Sequence, residues 1–196
     1  VGGLLQPPAR LLYQLGVSPD FITLLGLGVV ALGAWRLSLG EFTQGALILV
    51  LGLPLDSLDG AVARLGGVFR PFGAFLDSTL DRYADALVLG ALGVYYVRQD
   101  DVTFTIISLI ALHGTQMVSY VRAKAEALSL ECKIGLFTRV ERSLTLLGAW
   151  LLSLFIGQAG IDFGIIVLAL GTQVTALQRL AYVGRQLKKT TSRETT

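Results

Sequence analysis

The chain has 196 residues, 53% of them hydrophobic and 15% charged, with a formal net charge of +2 and a mean hydropathy of +0.67. A soluble domain carries about 25% charge, so this composition excludes an ordinary soluble enzyme and a disordered chain. A single Cys and a single His exclude a disulfide scaffold and a Cys/His metal site. An integral membrane protein fits, yet it still holds 14 acidic residues.

The predicted elements run as follows. Residues 1–18 include the stretch from Leu4 to Leu15, in which Leu11, Leu12 and Leu15 share a helical face with Arg10 to its side. This pattern predicts an amphipathic juxtamembrane helix lying in the interface, with an unstructured leader as the alternative. Six stretches then approach the roughly 20 apolar residues that a crossing needs: Phe21–Leu39, Phe42–Leu65, Phe72–Val97, Val102–Leu128, Leu136–Ile156 and Ile161–Tyr182. Membrane strands would alternate polar and apolar residues, and these do not. The expected fold is all-α: six transmembrane helices after an N-terminal interfacial helix, forming one domain over 1–196 with a cytoplasmic tail at 186–196. No signal-peptide pattern or nucleic-acid-binding motif is evident.

Lys and Arg set the orientation. Arg64 and Arg70 flank the second-to-third connection. Arg122, Lys124, Lys133, Arg139 and Arg142 flank the fourth-to-fifth, and Arg185, Lys188, Lys189 and Arg193 lie in the tail. The opposite connections carry Arg36 and Arg98 beside Glu41, Asp100, Asp101 and Asp162. The positive-inside rule therefore places both termini in the cytoplasm of a multi-pass cell-membrane protein.

The second and third stretches carry acids. Asp56, Asp59, Gly60, Ala63 and Arg64 fall within an arc of about 140° on a helix, and Gly73, Asp77 and Asp81 within about 80°. A short loop joins the two helices, so the two faces can meet. Each mid-span carboxylate costs roughly 2.5–3.5 kcal/mol on insertion scales. Divalent cations compensate such a cluster, and carboxylates are hard ligands suited to Mg²⁺ or Mn²⁺. Two ions would balance four acids and could orient a phosphate diester or pyrophosphate. Buried, hydrogen-bonded carboxylates and a cation or proton pathway are the alternatives. Asp85 reads more simply as a partner of Arg82 or a protonated acid than as a metal ligand, and His113 as a helix-packing residue.

The string from Asp56 to Asp81 resembles the signature of the CDP-alcohol phosphatidyltransferase family, D-x2-D-G-x2-A-R-x8-G-x3-D-x3-D. All eight fixed positions match: Asp56, Asp59, Gly60, Ala63, Arg64, Gly73, Asp77 and Asp81. The segment Ser18 to Thr23 is similar to the family's usual lead-in to the first helix, with Asp20 where Asn is common. The resemblance implies an enzyme that displaces CMP from a CDP-activated alcohol, usually CDP-diacylglycerol, with a second alcohol. It implies that Asp56, Asp59 and Asp77 hold the metals, and that Asp81 is the base and touches the second metal. Gly60, Ala63, Arg64 and Gly73 would line the CDP-lipid site. It also implies a homodimer.

The basic residues bear on the acceptor. Ser119 to Glu126, Thr138 to Arg142 and Gln178-Arg179 resemble the phosphatidylinositol-phosphate synthase branch. In that branch a basic pocket receives the phosphate of inositol 1-phosphate. Arg122, Arg142 and Arg179 are the best placements, with Arg139 and Lys124 as substitutes. Arg forks suit phosphate, although the same residues also serve positive-inside topology. Glycerol 3-phosphate, another phosphorylated acceptor, remains open.

Overall fold

The computed structural model describes residues 2–66 and 70–194, with side chains over 6–55, 57–66 and 70–188. The described residues form seven helices and no strand: α1 (Gly2–Gln14), α2 (Pro19–Ser38), α3 (Phe42–Leu65), α4 (Pro71–Arg98), α5 (Val102–Ala127), α6 (Arg139–Ile156) and α7 (Gln158–Glu194). Helices α2–α7 follow the six apolar stretches closely. Among the described residues, four helices are long and apolar enough to cross a membrane: α2, α3, α5 and the Gln158–Lys188 part of α7. Helix α4 differs because Asp77, Asp81, Arg82 and Asp85 interrupt its apolar run, and α6 because Arg139, Glu141 and Arg142 fill its first turn. Leu51, Phe72, Leu136 and Phe155 are all more than 60% exposed. In water such side chains would be an aggregation hazard; in lipid they are ordinary.

The chain divides into two compact units, 1–95 and 96–196. In the first, α2 starts at Ser18, whose Oγ accepts the Phe21 N–H at 3.2 Å. Pro19 occupies the first turn, where its missing N–H is harmless, and Asp20 faces the positive end of the helix dipole. Helices α2 and α3 pack through small residues. A Cβ on Gly33 would come within 2.9 Å of the Leu49 side chain, and one on Gly45 within 2.7 Å of Leu37. Such close approach is how helices associate where lipid removes the hydrophobic driving force. The turn between them is held by an Arg36–Glu41 ion pair at 2.7 Å.

Helix α1 lies on this pair. Ala9 is fully buried with Ile22 and Val62, and Leu12, Val17, Leu55, Leu58 and Ala61 pack around them. Leu11 and Leu15 are exposed at 57% and 69%. Leu12 is half-buried on the cluster formed with Ile22 and Val62, while Leu11 and Leu15 beside it stay exposed.

In the second unit α7 is the central post, packing against both α5 and α6. A Cβ on Gly114 of α5 would overlap Thr172, and one on Gly164 of α7 would overlap Ala149 of α6. Tyr96 is fully buried, stacks on Phe104 and donates to Asp162 at 2.6 Å. Asp101 caps α5 through the Phe104 N–H. His113 lies 3.2 Å from Gln173, which also donates to the Ile110 carbonyl. The contact links α5 to α7.

Candidate active site

The signature acids stand on two helices. Helix α3 carries Asp56 and Asp59; the side chain of Asp56 lies outside the described residues. Asp59 is buried, at 7% exposure. Its Oδ2 accepts the Thr23 hydroxyl at 2.7 Å, and its Oδ1 accepts the Gly60 N–H. One turn on, Arg64 folds back so that its Nη1 would be 3.3 Å from a Cβ at Gly60. Gly60 and Arg64 thus form one small surface, with half-buried Ala63 on the same arc.

Helix α4 carries Gly73, Asp77 and Asp81. The described chain resumes just before it, at Arg70, whose guanidinium donates to Asp20 at 2.7 Å. A Cβ on Gly73 would be 3.6 Å from both Asp20 and Arg70. The start of α2 therefore reaches both acid-bearing helices, α3 through Thr23 and α4 through Asp20. Asp77 and Asp81 are half-buried. Arg82 lies 3.7 Å from Asp81 and 3.8 Å from Asp85, as expected for Asp85.

Every donor the signature offers is a carboxylate oxygen, the ligand type suited to Mg²⁺ or Mn²⁺. Among the described residues, no three of these side chains gather as a ready metal-ligand group. The donor chemistry fits a hard divalent ion.

The basic residues are in the second unit. Arg142 and Arg179 are buried, at 5% and 3% exposure. Arg122 is exposed and pairs with Glu126 at 2.8 Å. Lys124 and Arg139 are exposed. Arg179 is held by the backbone: its Nε donates to the Ile134 carbonyl at 2.8 Å and its Nη1 to the Val118 carbonyl at 2.7 Å. Thr138 and Glu141 form a capping box at the start of α6.

The family model for CDP-alcohol phosphatidyltransferases matches residues 16–177. The chain belongs to the CDP-alcohol phosphatidyltransferase family. Members of this family are transferases of phospholipid synthesis, and this chain is an enzyme of that class. It is 40% identical to an archaetidylinositol phosphate synthase of Methanothermobacter thermautotrophicus over 177 residues, covering 89% of this chain and 87% of the relative. It is 36% identical to a phosphatidylinositol phosphate synthase of Streptomyces avermitilis over 192 residues, covering 93% and 79%. The solved phosphatidylinositol phosphate synthase of Mycobacterium tuberculosis superposes with a TM-score of 0.85 in its complex with CDP-DAG, at 34% identity over 91% of this chain and 92% of that one. Its complex with manganese and citrate gives 0.84 at 35% identity, over 91% and 88%.

Sequence reasoning missed Thr23, the Asp20–Arg70 pair and the backbone bonds of Arg179. The family-like lead-in was visible, but nothing in it pointed across to Asp59.

Proposed function

We propose that this phosphatidyltransferase moves the phosphatidyl group of CDP-diacylglycerol to a hydroxyl of inositol 1-phosphate and releases CMP. The observation that carries the reading is the full acidic signature on α3 and α4, together with relatives whose names share inositol phosphate and differ in the lipid.

Asp56, Asp59, Asp77 and Asp81 would hold one or two Mg²⁺ or Mn²⁺ ions, which supply charge stabilisation at the phosphoryl oxygens. Gly60, Ala63, Arg64 and Gly73 line the cytidine diphosphate; the glycines let it approach the backbone closely. Asp81 accepts the proton of the acceptor hydroxyl. The hydroxyl oxygen bonds to the phosphorus that carries diacylglycerol, and the bond from that phosphorus to CMP breaks. Arg122, Arg142 and Arg179, with Arg139 and Lys124 beside them in sequence, bind the acceptor phosphate. Charge alone does not separate inositol 1-phosphate from glycerol 3-phosphate; the relatives' names favour the former.

In the bilayer we place six crossings, α2–α7, with α1 in the interface and the tail from 186 on the cytoplasmic side, as the positive-inside rule requires. The whole chain acts as one domain and pairs as a homodimer. The reading is tested by CMP release from the purified protein. Release should need CDP-diacylglycerol, a phosphorylated acceptor and a divalent ion together, and chelation should abolish it. Ion flux in liposomes without CDP-lipid, and no CMP, would mean a transporter instead.

A further inference from the structure

The segment Ile134–Phe137 connects α5 to α6 and carries no regular structure, yet it is fastened to α7 at three successive turns. Gly171, Thr175 and Arg179 are spaced i, i+4, i+8, so they form one stripe along α7. The Phe137 ring lies directly on Gly171, where a Cβ would come within 2.5 Å of ring carbons. The Phe137 N–H donates to the buried Thr175 Oγ1 at 2.9 Å. The Ile134 carbonyl accepts from Arg179. Gly135 sits between these bonds at a φ of +129°, and a Cβ there would overlap the Thr175 methyl group. The positive φ and the close approach both require glycine.

The stripe links Arg179 to the segment that leads into α6. Arg179 is fixed by backbone carbonyls on both sides, and the segment leads directly into the capped start of α6, which bears Arg139 and Arg142. A guanidinium fork binds phosphate well only when its plane is already set.

We propose that Thr175, Gly135 and Gly171 are positioning residues for the acceptor-phosphate site: they seat Ile134–Phe137 on α7 and so fix the relative placement of Arg142 and Arg179. This rests on the acceptor reading above. None of the three needs to touch the substrate.

The test is steady-state kinetics and equilibrium binding of inositol 1-phosphate with Thr175→Val and Thr175→Ser. Valine keeps the shape but removes the acceptor of the Phe137 N–H; serine keeps it. Thr175→Val should raise KM and Kd for inositol 1-phosphate about five- to tenfold, roughly the weight of one buried hydrogen bond. KM for CDP-diacylglycerol should stay within about twofold, and Thr175→Ser should stay near wild type. Gly135→Ala should show the same selective defect. Adding Thr175→Ser, which removes the methyl group in the way, should relieve part of it. If wild type turns over but does not use inositol 1-phosphate, the acceptor reading fails. If wild type uses it and Thr175→Val either changes nothing or impairs both substrates equally, the positioning role fails.

Discussion

Thr23 donates its hydroxyl to Asp59 across 2.7 Å, joining the second turn of α2 to the acidic face of α3. Thr23 Oγ1 also lies 3.0 Å from the Pro19 carbonyl. One hydroxyl has one proton, so the two acceptors compete, and the closer carboxylate is the stronger partner. Partners of this kind orient a metal-binding carboxylate, and their loss typically weakens metal binding 10- to 100-fold. Thr23→Val should therefore raise the Mn²⁺ concentration for half-maximal activity by about tenfold or more, and Thr23→Ser should restore it. Direct Mn²⁺ titration of the two variants checks this apart from turnover.

Gly73 separates packing from ligand contact. Its nearest neighbours are 3.6 Å from a would-be Cβ, an ordinary contact distance. Gly73→Ala should leave the melting temperature nearly unchanged, with a stability change within about 0.5 kcal/mol. The same variant should raise KM for CDP-diacylglycerol if the lipid nucleotide approaches the backbone there. A large loss of stability would show that Gly73 serves packing instead.

The Asp20–Arg70 pair is partly exposed, with side chains 24% and 38% accessible. Such a pair contributes about 0.2–1 kcal/mol after solvent screening. Asp20→Ala should lower thermal stability by no more than this. Asp20→Asn, the residue common in the family, should keep a neutral hydrogen bond to Arg70 and nearly full activity. Melting curves at low and high salt would show the difference between the native pair and Asp20→Asn shrinking as salt rises.

Asp81→Asn keeps size and hydrogen-bonding capacity but removes the proposed base. General-base loss lowers rates by about 10²–10⁴-fold. The drop should appear in kcat, with CDP-diacylglycerol still bound, as measured by protection from thermal unfolding. Full activity in this variant would remove Asp81 from the base role.

Much of the fold could be read from apolar periodicity, because helix ends fall where charges and glycines break the runs. The packing of Leu12 on Ile22 and Val62 was not legible, since an apolar residue on an amphipathic helix can face lipid or a neighbouring helix alike. The charged first turn of α6 was read as acceptor-binding, although Thr138-x-x-Glu141 is also a capping signature visible in sequence. The acidic motif was legible because its spacing follows helix geometry. Thr23 and the Arg179 bonds were not, since a hydroxyl 36 residues from its carboxylate and a backbone carbonyl partner leave no trace in local pattern. Asp59 could be proposed as a ligand from its place in the motif; the group that aims it required the fold.

The most direct test compares acceptors side by side. Purified protein with CDP-diacylglycerol and Mg²⁺ or Mn²⁺ is given inositol 1-phosphate, glycerol 3-phosphate, free inositol or serine, and CMP release is followed. The account predicts rapid release with inositol 1-phosphate and little with the others, and loss of that release in an Arg142→Ala variant. Faster release with glycerol 3-phosphate, or equal release with free inositol, would contradict it.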